Sequence, residues 1–448
     1  MDISSDWAAR SRRSVWHPCT VLYPGEDTPL LPVHRAQGVW LYDHNGKAYL
    51  DAISSWWTNL FGHANPRINQ AIKRQLDTLD HVMLAGFTHE PVVQLSEALA
   101  TRTGGELGHC SYASDGSSAV EIALKMSYQY WQNQGLSKKQ GFIRLQDGYH
   151  GETVGAMGVS DVAIFRQAYG PLLGEGLRAP SPDARQAQDG ESADDVALKA
   201  IAQLEALLAK NASNIAGIIV EPLVQCAAGM IMYSPLYLKR LRALCDHYQV
   251  HFIADEIAVG FGRTGRFFAC EHAGVWPDFL CLSKGITGGY LPLSAVLTRP
   301  NIYDAFVCGQ VEKSFLHSHS YTGNALACQA ALATLAIFDD SDVLGNNKRW
   351  GDRLEAGLQP LLEYDEIKHF RRQGSIFAFD VHSLAAQSRR FATTVFQRGL
   401  KNGVLLRPLA NTVYLMPPYV LNDDEVDHLA AATVDTVRQC LGTTTTVV

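Results

Sequence analysis

Three short apolar runs stand out along the chain: AGIIVEP at 216–222, VHFIADE at 250–256 and DFLCLSK at 278–284. Each is rich in β-branched or aromatic residues and too short for a stable helix, so each predicts a buried strand. Between and before them, AVEIALKMSYQYW at 119–131 and LYLKRLRALCDHY at 236–248 repeat apolar residues at helical spacing without a breaker. Alternation of the two periods predicts an α/β fold with a mostly parallel sheet and helices on both faces. The polar stretch SPDARQAQDGESADD at 181–195 predicts a surface loop. From about residue 340 helix and strand mix again, in DRLEAGLQPLLEY, SIFAFDV and TVYLMPPYV, which predicts a separate smaller α+β domain.

The three apolar runs share one oddity. They end in the ionisable residues Glu221, Asp255 and Lys284. Ligands of open parallel sheets bind outside the carboxyl ends of the strands, so three such endings predict one site. Lys284 is followed by Gly285, Gly288 and Gly289, which clear space around it. A snorkelling lysine, or a plain Asp255–Lys284 ion pair, is the bland alternative.

Composition narrows the class. At 448 residues and 47% hydrophobic, the chain can bury a large core, as two or three domains or as one α/β unit with a satellite. A net charge of −7 offers nothing to nucleic acid or to an anionic membrane. Nine cysteines, an odd number without a CxxC pair, argue against a zinc cluster or disulfide framework and for a reducing compartment. No stretch approaches the roughly 20 apolar residues of a membrane span, and MDISSDWAARSRR lacks the apolar core of a signal peptide. The expectation is a cytoplasmic protein.

Several motifs remain. GFGRTG at 260–265 has the spacing of a dinucleotide fingerprint, but it neither follows a strand directly nor opens a helix, so a tight loop is expected. SDGSSAVEIALKM at 114–126 sets Gly116, Ser117 and Ser118 before a strong helix, which suits a phosphate or simple N-capping by Asp115 or Ser117. GYHGET at 148–153 places Tyr149 where its ring could stack on a planar ligand. A loop histidine such as His150 reads first as structure. SSWWTNLFGH at 54–63 pairs Trp56 and Trp57 as a pocket rim or a packed junction. LHSHSYTGN at 316–324 has hydroxyls suited to phosphate; no cysteine or carboxylate stands near His317 and His319 to make a zinc site, so no metal is expected. Arg407, between apolar residues in LLRPL, wants a carboxylate partner from substrate or protein.

One chemistry uses these parts together. A lysine amine bonds an aldehyde cofactor, a carboxylate holds a pyridinium nitrogen, a helix N-terminus binds phosphate and an aromatic covers the ring: the cofactor is pyridoxal 5'-phosphate. The stretches WHPCT, ISSWWTNLFGH, DGYHGET, ADEIAVGFGRTG, CLSKGITGG and LRPLANTVYLMPPY carry the same conclusion further. Over nearly its whole length the chain resembles the class III, fold-type-I aminotransferases. The resemblance implies a large cofactor domain over 66–338 and a small domain from 1–65 and 339–448. It implies that Lys284 bonds the cofactor and moves the proton, that Asp255 pairs with the pyridine nitrogen, and that Gly116 and Ser117 bind the phosphate. Tyr149 would cover the ring and border the substrate, Trp56 and Trp57 would line the pocket, and Arg407 would clamp a carboxylate. Ser318, His319 and Ser320 correspond to a loop that reaches phosphate and substrate from the other subunit of a homodimer.

The tryptophan pair, WHP and YLMPPY are similar to a narrower branch, whose acceptor is 8-amino-7-oxononanoate and whose amino donor is S-adenosylmethionine, with lysine as the alternative, in biotin synthesis. Cys19 stands where this branch often has a substrate-touching aromatic, and the 318–320 loop departs from its usual glycine, proline and threonine. An ω-amino-acid transaminase using pyruvate, an aminomutase and a non-catalytic binding protein are the rival readings; an intact Lys284 opposes the last.

Overall fold

The computed structural model describes residues 6–25, 27–174 and 176–441, so the ends of the expected 1–65 and 339–448 spans lie partly outside the described residues. Its centre is a seven-stranded sheet. In chain order the strands and main helices are β1 (His109–Ala113), α1 (Gly116–Asn133), β2 (Gly141–Leu145), β3 (Leu177–Ala179), α2 (Ala193–Asn211), β4 (Ile215–Val220), α3 (Pro235–Tyr248), β5 (His251–Asp255), β6 (Phe279–Leu282) and β7 (Ser294–Thr298). Their spatial order is β1-β7-β6-β5-β4-β2-β3. β7 runs antiparallel to both neighbours and the other pairings are parallel.

Side-chain alternation explains why these runs are apolar throughout. Ile219, Ile253, Cys281 and Val296 face α1, where they meet Ala119, Val120, Ile122 and Ala123. Ile218, Phe252, Leu280 and Leu297 face the opposite core, which holds Leu204 of α2 with Leu238 and Leu241 of α3. Each fully buried aliphatic or aromatic side chain contributes about 1.5–3 kcal/mol. Both helix faces of the sheet are therefore covered, as the alternation predicts.

Two smaller sheets flank this unit. Val33–Gln37, Trp40–Asp43 and Ala48–Asp51 form an antiparallel meander, and Val404–Leu405 adds parallel to its last strand, joining early and late chain segments in one sheet. Ile367–Gln373, Ile376–Val381 and Thr412–Leu415 form the other.

The 181–195 stretch corrects its expectation in part. Ser181 and Asp183 are buried, Ser181 bonding Gln225 and Asp183 holding Arg185. Its end is the N-terminus of α2, closed by a Ser192–Asp195 capping box. Polar composition concealed both, because the polar residues are satisfied by each other and by the helix end rather than by water. GFGRTG makes turns, with Gly262 and Gly265 at φ of +89° and +96°, and no helix opens from it.

Candidate active site

The strand register brings the three ionisable endings level. Val220 lies opposite Ala254 and Asp255 opposite Cys281, so Glu221, Asp255 and Lys284 leave the carboxyl ends of the adjacent strands β4, β5 and β6. Lys284 opens a one-turn 3-10 helix, Lys284–Thr287, at a φ of +43°. A left-handed backbone at a non-glycine residue is strained, and Ser283, whose hydroxyl donates to the Leu293 carbonyl, anchors it from behind. The Lys284 Nζ lies 4.7 Å from the centre of the Trp57 ring.

Lost hydration pushes the Lys284 ammonium below its ordinary value, against the attraction of Cys226, Asp255 and Glu221. Burial also pushes the Cys226 thiol well up, so the thiol is neutral near neutral pH. The balance enlarges the share of neutral, nucleophilic amine.

Asp255 is buried and both its oxygens are engaged: Oδ2 accepts from His150 Nδ1 at 2.7 Å and Oδ1 from the Ile257 amide at 3.1 Å. His150 is buried too, and its Nε2 has no partner. Glu221 accepts from the amides of Tyr149 and Cys226, each at 2.9 Å. Burial, with Asp255 nearby, raises its carboxyl to about 7 despite the opposing pull of His150. Glu221 thus pins the loop carrying Tyr149. The Tyr149 hydroxyl donates to Glu152 at 3.1 Å, its ring packs on Phe165, and burial together with Glu152 pushes its ionisation up.

The start of α1 is capped by Asp115, which accepts from the Ser118 amide and hydroxyl, each at 2.9 Å. Capping and anion binding are compatible here, since the amides of Gly116 and Ser117 remain the first donors of the helix. Two glycines allow close packing at this corner: a Cβ on Gly116 would press on Ile257 at 3.0 Å, and one on Gly151 would overlap Ser117 Oγ. Ser117 Oγ also accepts from the Glu152 amide at 3.1 Å, which ties the helix end to the Tyr149 loop.

The tryptophan pair lies on neither a strand nor an ordinary helix. Ser54, Ser55, Trp56 and Trp57 have φ values of +50°, +47°, +74° and +72°, one turn of left-handed helix. Such a turn costs about 1–2 kcal/mol per L-residue. It sends the buried Trp57 ring to Lys284, with its Nε1–H donating to the Tyr414 hydroxyl at 3.1 Å. It sends the half-exposed Trp56 ring to Arg407, whose guanidinium lies 4.5 Å above it. Arg407 donates to the Cys19 carbonyl at 3.2 Å, and lost hydration, reinforced by Glu152, raises the exposed Cys19 thiol. Cys19, Trp56, Glu152 and Arg407 therefore share one mouth.

The 318–320 loop is engaged elsewhere. His319 and Thr322 bond each other, the Ser320 carbonyl accepts from His81 Nε2 at 2.7 Å, and Lys125 donates to His317 Nδ1 at 2.9 Å. None of these bonds joins the loop to Lys284, Asp255 or Ser117 of the same chain. Among the described residues no three His, Cys, Asp or Glu side chains meet as a metal-binding set.

Sequence reasoning passed over Glu152 and Arg263 and read His150 as structure without its partner. His150 sat in a quoted motif but only the sheet register reveals its carboxylate partner. Arg263 is fully buried, donating to the carbonyls of Pro417 at 2.7 Å, Asn59 at 3.1 Å and Trp57 at 3.4 Å. The tempting but rejected GxGxxG reading drew attention to its glycines and away from it.

The aminotransferase class-III family model matches residues 22–437. The adenosylmethionine-8-amino-7-oxononanoate aminotransferase of Helicobacter pylori is 46% identical over 97% of this chain and 98% of its own. A crystal structure of the enzyme of that name from Methanocaldococcus jannaschii superposes with a TM-score of 0.89 at 34% identity, covering 96% of this chain and 98% of that one. A PLP-bound amine transaminase from an uncultivated Pseudomonas species gives a TM-score of 0.89 at 33% identity, covering 95% and 99%.

Proposed function

Since this chain belongs to the class-III aminotransferases, a family of pyridoxal-phosphate-dependent enzymes, we propose that it aminates 8-amino-7-oxononanoate to 7,8-diaminononanoate in biotin synthesis, taking the amino group from S-adenosylmethionine. The arrangement at the strand ends fits the cofactor. It offers a desolvated amine, a buried carboxylate already braced by a histidine, and a helix end with two leading amides. When bound, the cofactor supplies an aldehyde that exchanges amines and an electron-poor ring that stabilises charge on the carbon being deprotonated.

The residues divide the rest of the work. Lys284, with its lowered ammonium pKa, takes up a proton at Nζ and returns it. Asp255 would hold a positively charged ring nitrogen, and the His150 bond fixes the orientation of the carboxylate. Gly116 and Ser117 would bind phosphate through their amides. Tyr149 would cover the ring, positioned by Glu221. Trp56 and Trp57 line the pocket with Cys19, and Arg407 pairs with the acceptor's carboxylate.

The observation that carries the acceptor is the Arg407–Trp56 contact, a cation held over an aromatic face at the mouth of the site. It offers a fork for a carboxylate beside a surface for an aliphatic chain. Single-turnover assays on the holoenzyme test the donor: S-adenosylmethionine should convert the cofactor spectrum to its amine form, and lysine should not. The amine transaminase likeness favours a second reading, an ω-amino-acid transaminase. Rapid turnover with pyruvate and none with 8-amino-7-oxononanoate would establish it instead.

The reading extends to assembly. We assign the described residues of 66–338 to the cofactor domain and those of 1–65 and 339–448 to the small one. The protein is a homodimer in which Ser318, His319 and Ser320 complete the partner's site. Exposed Leu316 and Tyr321, at 75% and 64%, give that loop an apolar face to cover. We read it as a cytoplasmic enzyme; no described helix is long and apolar enough to cross a membrane, and no disulfide joins the described cysteines.

A further inference from the structure

Asp51 lies outside every motif assigned a role above, yet its carboxylate is fully buried beneath the left-handed turn. Oδ1 accepts from the Ser55 amide at 2.9 Å, and Oδ2 accepts from the Ser55 hydroxyl at 2.7 Å. Oδ2 also meets His63 Nε2 at 3.0 Å. His63 Nδ1 lies 3.2 Å from Asn59 Nδ2, and because a carboxylate only accepts, Nε2–H points at Asp51. Asn59 itself ends the turn, its backbone amide donating to the Ser54 carbonyl at 3.1 Å. The aspartate, the histidine and the two ends of the turn form a closed ring of bonds.

The same residue reaches the arginine by a second route. Asp51 pairs with Leu405 across the parallel strands, two residues before Arg407. The backbone of Asp51 thus lies beside the strand that leads to Arg407, while its side chain acts on the indole through the turn. The next indole, Trp57, is the surface against which the Lys284 amine rests. No glycine relieves the four positive φ angles, so local preference opposes the turn and an external clamp must hold it.

We propose that Asp51, braced by His63, is a positioning residue that holds this turn and so sets carboxylate recognition by Arg407 and Trp56. The proposal rests on the carboxylate-acceptor reading, but part of its test does not. In the holoenzyme, Asp51→Ala should raise the KM for 8-amino-7-oxononanoate about 10-fold, the scale of losing one charge-assisted hydrogen bond, with a smaller change in kcat. The KM for the methyl ester of the acceptor, which lacks the charge, should move less than 3-fold, about the scale of a weak packing change. The near-UV circular dichroism of the tryptophans should weaken. Glycine accepts positive φ without steric cost, so Asp51→Ala/Ser55→Gly should regain at least about a third of the lost affinity and signal.

An Asp51→Ala enzyme with wild-type KM and near-UV spectrum overturns the proposal. So does a defect that Ser55→Gly leaves unchanged, which would make Asp51 a general stability residue. Should Asp51→Ala not yield soluble holoenzyme, Asp51→Asn with and without Ser55→Gly makes the same comparison. If wild-type enzyme does not turn over 8-amino-7-oxononanoate, the acceptor reading fails by itself, and the spectrum and its glycine rescue still decide the role of Asp51.

Discussion

Replacing Asp255 with asparagine changes one atom and tests the electrostatic logic of the site. The carboxylate has two acceptor oxygens, both used, by His150 at 2.7 Å and by the Ile257 amide at 3.1 Å. Asparagine offers one acceptor oxygen for the backbone bond, and its amide keeps the histidine contact only by donating to Nδ1 with the imidazole proton moved to Nε2. A neutral amide also removes the anion that would face a protonated ring nitrogen. Opposite charges about 4 Å apart at an effective dielectric of about 20 interact by about 4 kcal/mol. If that attraction is realised mainly in the transition state, kcat should fall by about 10³-fold, at about 1.4 kcal/mol per decade. Cofactor binding should persist, because the helix end and Lys284 are untouched. The assay is steady-state kcat on protein whose cofactor content is matched by absorbance. A variant fully loaded with cofactor and within tenfold of wild-type kcat would refute the charge argument and leave Asp255 as an orienting group only.

Three further changes probe separate parts. Lys284→Ala should lower turnover by at least about 10³-fold without added amine, the upper range for a lost acid–base group, measured in both half-reactions. Arg407→Ala should raise the acceptor KM about 10- to 150-fold, the equivalent of a charged hydrogen bond worth about 1.5–3 kcal/mol, while the donor half-reaction changes little; equal damage to both would mark Arg407 as structural. Burial raises Glu221 and Glu256 to about 7, so their contribution to folding is full below about 4.5 and is lost as pH climbs through about 7. Holoenzyme Tm should accordingly decline between about pH 5 and 8, and the decline should be shallower in Glu221→Gln; an identical slope would remove Glu221 from the account.

The sheet and its strand-end site were legible because burial on both faces leaves an unmistakable trace: β4, β5 and β6 read as apolar runs, and an ionisable residue at the end of each breaks the pattern. The small residues before the long helix were legible as a helix start, and the structure shows the Asp115 cap that the sequence offered beside phosphate binding. What escaped was long-range pairing and backbone hand. Nothing in GYHGET says that His150 meets Asp255, 105 positions away, because the contact depends on strand order. Nothing in SSWW announces a left-handed turn, since serine and tryptophan prefer other conformations and the clamp that overrides them, Asp51 with His63, is supplied by flanking sequence. The buried half of the 181–195 stretch escaped because polar residues that satisfy one another inside a fold have the same composition as residues satisfied by water.

Arg263 explains why stretches that look independent along the chain belong together. Its guanidinium is fully buried without a carboxylate within salt-bridge reach among the described residues. Burying a cation is costly, and burial pushes its pKa down against the attraction of Tyr419 and of the buried Asp51 carboxylate, which lies nearby without direct contact. What compensates is a set of carbonyls: Pro417 from YLMPPY, and Trp57 and Asn59 from SSWWTNLFGH, with the Tyr419 ring centred 4.9 Å away. The carbonyls come from two segments, so the terminal nitrogens of the arginine are paired only while both are in place, and its Nε has no partner even then. The charge therefore makes the position of the tryptophan turn conditional on the loop at Pro417 and on the turn of GFGRTG. Asp51 holds the same turn from its other side. A strained turn gripped by an anion at one end and a cation at the other can keep two indoles in fixed places, one beside Arg407 and one beside Lys284, in a site that must admit two different substrates in succession.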